Sequence, residues 1–93
     1  MTSDEPYALV IAPPAARALA DRFPDPVAAA VIEFLTTTLI QEPKRVGKPL
    51  RGELSGIWSA RRGTYRVLYR VIDKPREILV LRVEHRRDAY RPT

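Results

Sequence analysis

Hydrophobic and polar positions divide the chain into two regimes. A short apolar run, Tyr7 to Ile11, comes first and is rich in residues that favour extended backbone. Pro13-Pro14 stops it, and proline suits the first turn of a helix, where its missing N–H would have no partner anyway. The stretch Ala15-Ala16-Arg17-Ala18-Leu19-Ala20 reads as a helix ending near Arg22. In the turn Phe23-Pro24-Asp25-Pro26, Asp25 is the expected N-cap and Pro26 the first helical residue. Val27, Ala30, Val31, Phe34, Leu35 and Thr38 then recur at helical spacing, which predicts a second helix to about Ile40. Glu42-Pro43 ends it. Two helices joined by a short turn imply a helical hairpin with one shared apolar face.

Residues 44–56, KRVGKPLRGELSG, show no apolar period and are expected to form no regular element. After Gly56 the period becomes two. Ile57 to Arg61, Tyr65 to Ile72 and Glu77 to Glu84 read as strands, linked by Gly63-Thr64 and by Asp73-Lys74-Pro75-Arg76. The fold class is therefore α+β: a two-layer arrangement of N-terminal strand, α-helical hairpin and three hairpin-linked antiparallel strands. A chain of 93 residues is expected to form one domain, 1–93.

Alternation assigns faces. Tyr65, Val67, Tyr69 and Val71 share one side of the middle strand, and Leu79, Leu81 and Val83 one side of the last, with Trp58 and Ala60 completing the apolar set under the helices. The opposite face then carries Arg61, Arg66, Arg70, Arg82 and Glu84, with Leu68, Ile78 and Val80 among them. A mixture of arginines and aliphatic side chains is unusual for a plain solvated face and invites a cover, either the C-terminal tail or a partner peptide. Trp58, Tyr65 and Tyr69 read as core.

Charge sharpens this picture. The net charge is +5, but residues 1–43 hold two basic against six acidic residues, and residues 44–93 hold fourteen against five. A basic half is expected to meet a polyanion, an acidic protein partner, or both. There is no cysteine, which excludes disulfides and thiolate chemistry, and one histidine, His85, makes a dedicated metal site unexpected. No apolar run reaches membrane-spanning length, and the polar start Met1-Thr2-Ser3-Asp4-Glu5 does not read as a signal peptide. The expected location is the cytoplasm, with no membrane partner and no cofactor. Near the end, His85-Arg86-Arg87-Asp88-Ala89-Tyr90-Arg91 sets guanidinium groups beside an aromatic ring. Guanidinium forks clamp phosphates, and a ring can stack on an unpaired base or pack its own tail onto the sheet.

These residues, with Gly47-Lys48-Pro49-Leu50-Arg51, Leu54-Ser55-Gly56-Ile57-Trp58, Tyr65-Arg66-Val67-Leu68-Tyr69 and Arg82-Val83-Glu84 in that order, give the chain a family likeness from Tyr7 to Arg91. It resembles the RelE toxins of bacterial type II toxin–antitoxin pairs, within the RelE/ParE superfamily. The resemblance implies a metal-independent, ribosome-dependent endoribonuclease that cuts mRNA in the A site and inhibits translation. The RNA 2′-hydroxyl attacks the neighbouring phosphate in that reaction. The resemblance also implies a cognate, RelB-like antitoxin with an acidic segment, forming a hetero-oligomer with the toxin. By this likeness Arg66 contacts the scissile phosphate, Arg86 is a second active-site arginine, and Tyr90 stacks on or orients the substrate. Lys48, Arg51, Arg61 and Arg62 are the expected RNA-positioning or antitoxin contacts, and Arg70 and Arg82 are candidates to pair with antitoxin acids. The sequence departs from the family in one respect. Lysines expected in the strand before Tyr65 fall roughly at Ile57 and Ser59, which leaves the general base unassigned. Lys48 and His85 are candidates, and His85 reads equally as a structural tether. Two other readings stay open: a ParE-like poison of DNA gyrase, and a ribosome-binding inhibitor that does not cleave.

Overall fold

A computed structural model describes residues 5–85. Strand β1 (Ala8–Ile11) leads into helix α1 (Pro13–Arg17), which continues through Ala18–Arg22 in wider π turns. Helix α2 (Asp25–Glu33) continues in the same way through Phe34–Leu39. There the Thr36 and Thr37 hydroxyls donate back to the carbonyls of Ile32 (2.8 Å) and Glu33 (2.6 Å), side-chain bonds that accompany the loosened winding. One helical turn, α3 (Pro43–Val46), precedes β2 (Lys48–Pro49), a 3₁₀ turn (Gly52–Leu54), β3 (Trp58–Arg62), β4 (Tyr65–Ile72) and β5 (Glu77–His85).

The five strands form one mixed sheet in the order β1–β5–β4–β3–β2. Only β1 runs parallel to its neighbour, β5. Backbone bonds anchor both of its ends: Ala8 N–H donates to Arg76 O (2.8 Å) and Ala12 N–H to Val80 O (2.9 Å). The helices cover one face of this sheet, giving the expected α+β layering. α1 and its continuation contribute Ala15 and Ala18 to the core, small residues that let them approach β5 closely. The second helix supplies Val31, Phe34, Leu35 and Leu39. The sheet answers with Ala60, Tyr65, Val67, Tyr69, Ile78, Val80 and Val83. Phe34 meets Tyr65 edge-on at 6.3 Å between ring centres, and Trp58 stacks on Tyr69 at 6.5 Å.

Three expectations change. Asp25 is the first helical residue, with no side-chain capping bond, rather than the N-cap. Its carboxylate still sits in the first turn, where the helix dipole favours it. Residues 44–56 are not irregular throughout. Pro43 starts a helical turn, and Lys48-Pro49 pairs with Trp58 and Ser59 as an edge strand, a place where proline's missing donor is tolerated.

The third change concerns β5. Strict alternation put Leu79, Leu81 and Val83 under the helices. Instead Ile78, Val80 and Val83 are buried there. The cause is a bulge: Leu68 pairs with Arg82 but Tyr69 pairs with Val80, so Leu81 is an extra residue that shifts the phase by one. Leu79 therefore joins Leu68 on the outer face, beside the exposed Val10 of β1, and Ile78 and Val80 leave it. The bulge sets an expected asymmetry. Ile78→Ala should cost about 2–5 kcal/mol, as for a fully buried aliphatic side chain, and Leu79→Ala about 1 kcal/mol or less. Urea unfolding of the two variants measures this, and equal losses would place the bulge elsewhere.

One polar cluster holds the β4–β5 turn. Asp73 accepts from the Tyr7 hydroxyl (3.0 Å) and from Lys44 Nζ (3.2 Å). The hydrogen bond from Lys44, then that from Tyr7, hold its carboxyl below the ordinary carboxylate range. Arg76 lies over the Tyr7 ring at 4.1 Å and completes the clamp on the start of β1.

Candidate functional site

Cross-strand register gathers the basic residues of the outer face. Residues directly opposite each other in a ladder share a face. Arg61 of β3 lies opposite Arg66 of β4, and Arg66 opposite Glu84 of β5, which makes a row Arg61–Arg66–Glu84. The next row runs Lys48–Ser59–Leu68–Arg82 across four strands. Four cations, Lys48, Arg61, Arg66 and Arg82, thus share one end of the face turned away from the helices. Arg61, Arg66, Arg82 and Lys48 are exposed. The tight turn at Gly63, whose φ is +57°, fixes the β3–β4 register that brings Arg61 and Arg66 together.

Arg66 is held. Its Nε (3.2 Å) and Nη2 (2.7 Å) both donate to Oε1 of Glu84. Glu84 was not among the site residues expected from the sequence. The available signal was alternation, which puts Glu84 on the face of Arg82.

The other expected residues separate. His85 pairs with Tyr65 on the helix-facing side and packs against Phe23 at 5.5 Å between ring centres. The sheet thus stands between His85 and the Arg66 row. Arg62 also turns to the helix side, with its guanidinium 4.9 Å over the Phe34 ring. The Tyr65 hydroxyl beside it is pushed up in pKa by burial, a shift that the Arg62 charge partly offsets. Arg51 is exposed in the loop before the 3₁₀ turn, off the sheet face. Arg86 and Tyr90 lie outside the described residues. Among the described residues, no group of three or more His, Cys, Asp or Glu gathers where it could hold a metal ion. No helix among them is long and apolar enough to cross a membrane.

The arrangement offers fixed cations on an open, pleated surface, suited to anionic oxygens spaced along a backbone. Comparison with known proteins identifies the family. The sequence matches, over residues 10–90, the family described as ParE toxin of type II toxin-antitoxin system, parDE. It is 56% identical to toxin RelG of Mycobacterium tuberculosis over 70 residues, which is 75% of this chain and 80% of that one. The identity to toxin RelE of the same organism is 43% over 91 residues, covering 98% of this chain and 93% of the relative. The chain belongs to the RelE/ParE family of type II toxins. Its fold is that of the family as well. The crystal structure of the toxin–antitoxin complex RelBE2 from M. tuberculosis superposes with a TM-score of 0.85 at 50% identity, covering 88% of this chain and all of that one (100%).

A second basic feature of this toxin adjoins the first. Pro14, Arg17, Ala18, Asp21 and Arg22 of α1 and its continuation, with Arg82 and Val83 at the edge of β5, line a cleft of about 260 Å³. It lies where β5 runs on beyond its pairing with β1, which stops at Val80.

Proposed function

We propose that this toxin is a ribosome-dependent mRNA endoribonuclease acting in the cytoplasm without a metal ion. The observation that carries the reading is the row of Arg61 and Arg66 with Arg82 on one outward face. Negative charge develops on the phosphate oxygens as the 2′-hydroxyl attacks, and fixed guanidinium groups aimed there lower the barrier. In this reading Arg66 binds the scissile phosphate, while Arg61, Lys48 and Arg51 position the flanking backbone. Arg86 and Tyr90 complete the site from the C-terminal segment, as the family likeness implies. His85 and Arg62 serve the opposite layer: His85 braces the end of β5 on Phe23, and Arg62 caps Phe34. The partners are the ribosome with its mRNA and a cognate RelB-like antitoxin with an acidic segment. The solved complex of the similar RelBE2 toxin supports an antitoxin partner.

A second reading is favoured by one finding. The matched family is described by ParE, which makes DNA gyrase the alternative target. Mapping mRNA 5′ ends on translating ribosomes, with the toxin added or withheld, decides between them. Codon-phased cuts that need the ribosome support the nuclease. DNA damage in expressing cells without such cuts supports the gyrase poison. Arrested translation with intact message means an inhibitor that does not cleave.

A further inference from the structure

Glu84 stands where a phosphate-binding face should not want it. A carboxylate amid Arg61, Arg66 and Arg82 opposes the approach of a polyanion. Nor does stability account for it. The Arg66 and Glu84 side chains remain 46% and 28% exposed, and ion pairs so exposed contribute little to folding. The geometry is more informative. Both donors of Arg66 converge on Oε1, and Oε2 has no partner among the described residues. A guanidinium carries five N–H donors, so Arg66 keeps three for a phosphate while it holds Glu84.

We propose that Glu84 is the proton acceptor of the cleavage step. The proposal rests on the nuclease reading above, and fills the role that reading leaves open. A phosphate on Arg61 and Arg66 brings its adjoining ribose beside β5, where Glu84 is next in the row. Oε2 then takes the 2′-hydroxyl proton. The 2′-oxygen forms its bond to phosphorus and the P–O5′ bond breaks. The leaving 5′-oxygen takes a proton from solvent water, and Glu84 returns its own to solvent. The products are a 2′,3′-cyclic phosphate and a 5′-hydroxyl, with no net consumption of water. The alternatives on this face are weaker. Arginines hold their protons throughout the working pH range. Lys48 lies on β2, three strands from Glu84. His85 faces the helices.

The test exploits opposed signs. Glu84→Gln keeps an oxygen for Arg66 but removes both the charge and the basicity. Loss of a negative charge should leave binding to mRNA-programmed ribosomes equal or tighter. Loss of the base should slow single-turnover cleavage by about 10²-fold or more. A second variant, Glu84→Ala, should be equally slow, and added acetate should restore part of its rate. Cleavage by Glu84→Gln within about threefold of the parent overturns the proposal. So does a slow Glu84→Ala that acetate leaves unchanged, since that marks a group that only positions Arg66. If the parent protein itself makes no ribosome-dependent cut, the nuclease reading falls and the proposal falls with it.

Discussion

Replacing Arg66 by alanine is expected to abolish growth inhibition and to reduce ribosome-dependent cleavage by roughly 10²–10³-fold, the usual cost of removing one fixed donor from a developing oxyanion. The side chain stands at the centre of the cation row, with Arg61 on one side and Glu84 on the other. Its removal takes away the charge at the phosphate and releases Glu84 from its only partner among the described residues. Stability should hardly change, because the side chain is exposed and the ion pair is screened. Arg66→Lys keeps the charge but not the fork, and so should recover only part of the rate. Arg70→Ala is the matched control. Arg70 shares the outer face but lies opposite Leu79, in the apolar part of the sheet, and should cleave as the parent does. Single-turnover cleavage of message on purified ribosomes reads all three. Full activity in Arg66→Ala would place the chemistry elsewhere.

Much of this could be read from the order of residues. The period change at Gly56 separates helices from hairpins, and β4 alternates between buried and more exposed positions from Tyr65 to Arg70. Those signals are local, since each depends on neighbours within one element. The bulge at Leu81 was not local. Ile78, Leu79, Val80 and Leu81 are all aliphatic, so nothing in the run marks where the phase slips. Only the fit of Tyr69 and Val67 on the neighbouring strand decides it. For the same reason β2 was missed: two residues carry no period, and Lys48-Pro49 becomes a strand only because β3 offers an edge.

Legibility in the site follows the same division. Arg61 and Arg66 were placed on one face because alternation holds in β3 and β4. Alternation puts Glu84 on the same face, but its pairing depends on a partner eighteen residues away in sequence, Arg66. Arg62 went the other way. As an arginine in a basic run it read as an RNA contact, whereas its place at the end of β3 turns it toward the Phe34 ring.

Gly47→Ala should be among the most destabilising substitutions in the chain, at about 2–4 kcal/mol, in the range of overpacked or strained core sites. The reason is space rather than backbone freedom, since the residue has an extended φ of −128°. A Cβ there would overlap the Tyr69 hydroxyl and sit 2.9 Å from the Ser59 carbonyl oxygen. Neither neighbour can give way easily. Tyr69 is fully buried, its hydroxyl donates to the Pro43 carbonyl at 2.6 Å, and burial pushes its pKa up to about 12. Ser59 is held in the β2–β3 ladder opposite Lys48. Tyr69→Phe alone removes the donor and leaves Pro43 O unpaired, at a cost of about 1–2 kcal/mol. In the double variant the missing hydroxyl vacates the space that the new methyl needs. The two costs should therefore fail to add, with the pair at least about 1 kcal/mol more stable than their sum. Thermal melts resolve this, because about 1 kcal/mol moves Tm by roughly 4–8 °C in a domain of this size. Simple additivity would mean that the Ser59 carbonyl, not the hydroxyl, sets the limit at Gly47. The contact also bears on the site. Gly47 adjoins Lys48, so the close approach of the chain to Tyr69 is what lays Lys48 against Ser59 in the row next to Arg61 and Arg66.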